Sequence, residues 1–279
     1  MFRLLRAVTF AFAFCGFLVS ILMDGAWAAR DNSARATLPP FDPKEISITE
    51  KLGASVDYRN LKFRNEKNEE VLLSQYFRAD KPVLVALVYY NCPSLCNLVL
   101  NGLLDSLKSQ SWVPGKEFEV VTISIHTGET AELAASKKAN YISELGKPEA
   151  ASGWHFLVSP DDQVRKLADQ LGFGYRKDPK TQEFAHSAAL FILTPEAKIS
   201  RYLYGVEYNP NQMRLALLEA AGGKIGTVID RILMFCYRYD PNTRKYSVVL
   251  TRVMQVATLL TTVLVFLYLF WFWRKQQRT

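Results

Sequence analysis

Two cysteines separated by three residues, in Cys92-Pro93-Ser94-Leu95-Cys96, carry more chemistry than any other stretch of this chain. A thiolate is both a nucleophile and a soft metal ligand. Residues four apart lie on one side of a first helical turn. Such a pair can clamp one ion or close a disulfide, whose Cα atoms usually lie about 4.4–6.8 Å apart. The spacing is one residue wider than that of the common Cys-x-x-Cys redox pair. Three histidines, His126, His155 and His186, could complete a metal site. Two thiolates with one imidazole suit copper better than magnesium or calcium, with zinc as the competitor.

The elements that position these groups read as alternating strands and helices. Pro82 to Tyr90 is a continuous run of strand-forming apolar residues, the pattern of a central strand buried on both faces. From Asn97 to Lys108, apolar residues at 99, 100, 103, 104 and 107 form a helical stripe. Phe118 to Ile125 is a second buried strand, which completes a βαβ unit. The cysteines therefore fall outside the carboxyl end of a strand, where open α/β sheets place their sites, and near a helix N-terminus that favours thiolate. Further along, Thr130 to Glu144 reads as a helix, Trp154 to Ser159 as a short strand and Pro160 to Leu171 as a helix. Ala188 to Leu193 and Lys198 to Tyr204 form a hairpin around Thr194–Ala197, and Pro210 to Ala220 is a last helix. His126 follows the second buried strand at its carboxyl end, which brings it near the cysteines. His155, inside a short strand beside Trp154, reads as a packed or surface residue. His186 is expected in a loop, free to swing after the polar and mobile stretch Arg176 to Glu183.

Both ends of the chain read as membrane signals. Arg3 and Arg6, the apolar run Ala7 to Met23 and the small-x-small Ala26-Trp27-Ala28 match a signal peptide cut after Ala28. An uncleaved anchor is the other reading, and Cys15 fills the apolar run. Val253 to Trp273 is 21 residues without a formal charge, long enough to cross a hydrocarbon core of roughly 30 Å. Tyr268, Trp271 and Trp273 supply an aromatic belt, and Arg274, Lys275 and Arg278 place the C-terminus in the cytoplasm. The net charge of +7 splits into +2 over residues 1–30, −1 over 31–240 and +6 over 241–279. The basic excess belongs to the ends, so nucleic acid is not an expected partner. The expected location is a bacterial inner membrane, with one C-terminal span and the globular domain in the oxidising periplasm.

The chain thus divides into a signal peptide (1–28), a proline-containing linker (29–44), an α/β domain (45–222), a juxtamembrane segment (223–247), a transmembrane helix (248–273) and a cytoplasmic tail (274–279). Within the juxtamembrane segment, Ile225 to Phe235 has the apolar spacing of an amphipathic helix, either lying on the bilayer or packing on the domain. Cys236 follows it and reads as a buried interfacial thiol or an extra partner for a mixed disulfide.

The run YYNCPSLCN after a buried strand, the segment SGWHFLVSPDDQVRKLADQLGFGYRKD and the later FAHSAALFILTPEAKISRYLYG resemble the Sco/SenC family over about residues 40–220. The resemblance implies a thioredoxin-like α/β sandwich, tethered to a membrane and facing the periplasm or intermembrane space. It implies one copper ion per chain, bound by Cys92, Cys96 and His186, with His126 and His155 as non-ligands. The implied role is assembly of the dinuclear copper centre of cytochrome c oxidase. The implied partners are the copper-binding subunit of that oxidase and a copper donor or thiol reductant protein. Two positions depart from the pattern: Ala185 stands where members commonly have Asp, and Asn97 where they have Pro. The familiar anchor is N-terminal, whereas this chain adds a C-terminal one.

A second function is compatible with the same residues. A thiol:disulfide oxidoreductase acting on the cysteines of the oxidase copper site would attack with Cys92 and resolve with Cys96. His186 separates the two readings, since a reductase needs only the thiols. A peroxidatic Pro-x-x-x-Thr-x-x-Cys pattern is absent from the sequence, which argues against a peroxiredoxin-like peroxidase.

Overall fold

The computed structural model describes residues 43–92, 95–179, 182–222, 237–240, 245–248 and 250–276. The expected signal peptide, nearly all of the linker, Cys15, Cys236 and the amphipathic stretch Ile225 to Phe235 lie outside the described residues. The chain divides into two compact units, Met1–Glu45 and Ile46–Thr279, and the cysteine pair and all three histidines belong to the second.

Eleven strands and five α-helices are seen among the described residues. A five-stranded sheet organises the second unit. Its middle strand, β3 (Val83–Val88), is buried along its whole length, as the unbroken apolar run requires. The antiparallel hairpin β1 (Lys62–Arg64) and β2 (Glu70–Leu72) precedes it. On one side β3 pairs in parallel with β4 (Glu119–Ser124), which pairs in parallel with β5 (Trp154–Leu157). Strands β6 (Tyr175–Lys177) and β7 (Phe184–His186) form a separate antiparallel pair. On the other side β3 pairs antiparallel with β8 (Ala189–Leu193), followed by β9 (Ile199–Tyr204), giving the order β5-β4-β3-β8-β9. This mixed sheet with helical crossovers is the expected thioredoxin-like α/β arrangement.

Helix α1 (Leu95–Lys108) makes the crossover from β3 to β4 and begins two residues earlier than the apolar stripe predicts. Cys96 consequently sits inside the first helical turn. Gly102 lets α1 approach the chain closely, since a Cβ there would lie 1.8 Å from the carbonyl oxygen of Val206. Helix α2 (Ala131–Leu145) is capped by Thr130, whose hydroxyl accepts from the Leu133 amide, and ends at Gly146 with φ of 70°. Helix α3 (Gln163–Leu171) ends at Gly172, where φ is 68°. Helix α4 (Pro210–Ala220) starts behind Asn209, whose side chain accepts from the amides of Asn211 and Gln212, with Pro210 in the first turn. The predicted turn at Thr194–Ala197 closes through Thr194 N–H to Lys198 O at 2.8 Å.

One expectation is corrected. Arg176 to Glu183 is not simply a swinging loop before His186: Tyr175 pairs with His186 and Lys177 with Phe184, which makes His186 the last residue of a strand. Three-residue strands are too short to show an alternation that could be read from sequence. Further along the juxtamembrane segment, Tyr237–Asp240 (β10) and Lys245–Val248 (β11) form an antiparallel hairpin. Beyond it, α5 (Leu250–Gln276) runs for 27 residues, about 40 Å of helix. Leu259, Leu260, Phe266 and Trp271 on it are exposed. Among the described residues no helix qualifies as long and apolar enough to cross a membrane. Residues 250–253, 269, 272, 273, 275 and 276 of α5 have side chains that are not described.

Candidate metal centre

Leaving β3 at its carboxyl end, the chain passes through Tyr89, Tyr90 and Asn91 to Cys92. A buried carboxylate shapes this exit. Glu129 accepts the Tyr90 and Asn91 amides at 2.7 Å each and the Ser124 hydroxyl at 2.6 Å. Charge-assisted bonds of this kind offset the cost of burying the carboxylate. Sequence reading missed Glu129, because no local spacing links it to residues nearly forty positions earlier.

Cys92 and Cys96 are thiols rather than a disulfide. Cys92 is 5% exposed and Cys96 1%. The Cys96 amide, in the first turn of α1, donates to the sulfur of Cys92 at 3.4 Å, and the Tyr89 amide donates to the sulfur of Cys96 at 3.4 Å. Asn97 closes the loop from the helix side: its Nδ2 donates to the Cys92 carbonyl at 2.8 Å, while its Oδ1 accepts from Lys137 at 3.2 Å.

The third group arrives from the far end of the chain. His186 Nε2 lies 3.1 Å from Cys96 Sγ, and His186 Nδ1 lies 2.9 Å from the Ser187 carbonyl oxygen. A carbonyl only accepts, so Nδ1 carries the proton and Nε2 presents its lone pair to the sulfur. In a neutral pair the Cys96 thiol must then be the donor. The backbone carbonyl orients the ring here, a job that the residue at Ala185 cannot do. Phe173 and Tyr89 flank the imidazole, with ring centroids 5.6 and 6.5 Å away. Burial lowers the His186 pKa, the Ser187 carbonyl opposing that effect. Burial also pushes the Cys96 thiol far above its usual value, assisted by the neighbouring Cys92 and Glu129 and opposed by the Tyr89 backbone.

The other two histidines are placed differently. His126 packs its ring against Phe184 at 5.4 Å, near the carboxyl end of β4. His155 faces the buried Glu119, Nε2 to Oε2 at 3.2 Å, and stacks on Tyr76 at 4.3 Å. It pairs with Val121 in the body of the sheet, away from the cysteines. Among the described residues no three His, Cys, Asp or Glu side chains are already gathered into one metal-holding group. The donor types nevertheless fit a soft ion: two sulfurs on one turn, and an imidazole lone pair aimed at one of them.

The SCO1/SenC family model matches residues 60–221. The chain belongs to the SCO1/SenC family. Among solved structures similar to this chain, a proposed electron transfer protein from Aquifex aeolicus VF5 is 25% identical, with a TM-score of 0.54 over 62% of this chain and 95% of that one. A proposed electron transport protein from the same organism is 26% identical, with a TM-score of 0.51 over 62% and 99%. The copper-bound ScoI of Arabidopsis thaliana is 17% identical, with a TM-score of 0.45 over 61% and 98%. No curated protein sequence matches this SCO1/SenC chain significantly.

Proposed function

We propose that this SCO1/SenC protein binds one copper ion through Cys92, Cys96 and His186 and delivers it to the dinuclear copper centre of cytochrome c oxidase. The observation that carries this reading is the 3.1 Å approach of His186 Nε2 to Cys96 Sγ, with Nδ1 held by Ser187. A thiol pair serving redox exchange alone has no need of an oriented imidazole lone pair. Copper is the ion that the family binds and that two thiolates with an imidazole favour. The ion is cargo, and three protein ligands are few enough for a partner's donors to displace, which suits its transfer to the copper-binding subunit of the oxidase.

The proposal includes a membrane tether. Its support is the uncharged run Val253 to Trp273 within the 27-residue helix α5, followed by Arg274, Lys275 and Arg278. With the tail in the cytoplasm, the domain faces the periplasm of a bacterial inner membrane, and residues 1–28 are its export signal.

The test is copper stoichiometry and absorption of the reduced full chain, compared with His186→Ala and Cys92→Ser. One copper per chain with a thiolate-to-Cu(II) charge-transfer band, lost in both variants, is the expected result. A wild type that retains no copper would sink the proposal.

A second reading has its own observation. Cys96 is the deeper thiol and its amide donates to Cys92 Sγ, which favours a thiolate on Cys92. As a reductant, Cys92 would attack an acceptor disulfide and release one acceptor thiolate. Cys96 would then resolve the mixed disulfide and release the second, leaving a Cys92–Cys96 disulfide and passing two electrons. Disulfide exchange indifferent to His186→Ala would favour this reading.

A further inference from the structure

A side chain of α1 reaches back to the residue that carries the first thiol. Asn97 Nδ2 donates to the Cys92 carbonyl oxygen at 2.8 Å, across the Cys92-to-Cys96 turn. An amide side chain can face either way, so something must orient it. Lys137 of α2 does so. Its ammonium only donates, and it lies 3.2 Å from Asn97 Oδ1, which turns Nδ2 toward the carbonyl. Lys137 and Asn97 are both half-buried, so the bond competes with water less than one on an open surface would. The Cys96 amide at 3.4 Å from Cys92 Sγ lies inside the same closed turn. Glu129 holds the entry to this turn through the Tyr90 and Asn91 amides, and Asn97 holds its exit.

We propose that Asn97, oriented by Lys137, is a positioning residue that latches Cys92 against the first turn of α1, so that its sulfur and that of Cys96 act as one unit. This deepens the copper-site reading, on which it rests for its metal consequence. The latch also acts without metal, because two sulfurs held together close a disulfide more readily than two sulfurs that drift apart. The couple is balanced by a low-molecular-weight partner. The dithiol loses two electrons and two protons as the Sγ–Sγ bond forms, and glutathione disulfide takes them up to give two glutathione molecules.

Asn97→Asp is the sharp variant. It keeps the shape and the partner for Lys137 but can no longer donate to the carbonyl when ionised. Lys137→Met is the second variant, which removes the orienting charge and leaves Asn97 in place. Each full-length protein is equilibrated with glutathione buffers, acid-quenched and alkylated, and the peptide carrying Cys92 and Cys96 is weighed. Losing one net hydrogen bond of typical strength lowers the dithiol-to-disulfide equilibrium constant by about fivefold in Asn97→Asp, and by less in Lys137→Met. A parallel fall in Cu(I) affinity is expected in a chelator competition. Thermal melting of the metal-free variants checks that they remain folded. An equilibrium constant that is unchanged or raised in both folded variants would overturn the latch. A wild type that takes up no copper, while Asn97→Asp still shifts the disulfide equilibrium, supports the latch and removes only the copper reading.

Discussion

Cys96 and His186, ninety residues apart in the chain, meet through a 3.1 Å contact between Sγ and Nε2 in a site almost closed to solvent. The imidazole cannot rotate its other nitrogen into this position without losing the Ser187 carbonyl. A metal ion that uses both groups therefore takes the place of the thiol proton, and metal loading is coupled to proton release.

That coupling makes copper affinity depend on pH. Burial raises the Cys96 thiol well above the usual cysteine value, so at neutral pH the metal-free protein keeps this proton. Each ion bound through Cys96 displaces it, and the apparent Kd should tighten at least about tenfold for each pH unit gained between pH 6 and 8. Competition with a chelator of known affinity across that range checks this. A flat profile would remove Cys96 from the ligand set.

The stability of the metal-free protein should carry the signature of His186, in the same direction. Burial lowers its pKa below the ordinary 6.5, so between that lowered value and about 6.5 the unfolded chain binds more protons than the folded one. Stability then rises with pH across this window, is complete above it and is lost as pH falls. Urea unfolding at several pH values, for wild type and His186→Gln, reads the difference. The variant should show a shallower slope just below about pH 6.5.

Glu129→Gln tests the exit from β3. The carboxylate accepts from two backbone amides and from Ser124, whereas a carboxamide offers one accepting oxygen and turns an NH₂ toward a donor. The expected loss is about 1.5–3 kcal/mol, the range for hydrogen bonds to a charged group, measured by chemical denaturation. Copper affinity should fall with it, since the chain between Tyr90 and Cys92 loses its anchor.

Removal of residues 223–279 tests the tether. The full chain should stay with the membrane through a carbonate wash, and the shortened protein should be released into the soluble fraction. Retention of the shortened protein on the membrane would place the anchor elsewhere, first of all at residues 1–28.

Much of this architecture was legible because it follows from local pattern. The unbroken apolar run of β3 and the stripe of α1 identify a βαβ unit, with Cys92 in the connection between the two elements and Cys96 in the first turn of α1. The turn at Thr194–Ala197 and the start of α4 at Pro210 follow from turn and cap chemistry. The hairpins β1–β2 and β6–β7 escaped notice because strands of three residues leave no period to read. Glu129 and the Asn97–Lys137 contact escaped because their partners lie far away in sequence.

Residue types and local spacing therefore determined the order of strands and helices, the position of the cysteine pair at a strand end, and a set of three candidate histidines. Choosing among the three required tertiary structure. Strand β8 runs antiparallel to β3, with Ala86 opposite Leu190, so the residues just before β8 return to the end of β3 where Cys92 and Cys96 stand. His186 rides back on that reversal. His126 reaches the same end after β4 but turns its ring to Phe184, and His155 is held on the edge strand β5 against Glu119. The pairing of strands a hundred residues apart is a non-local event, set by the burial of whole faces rather than by any short stretch of sequence.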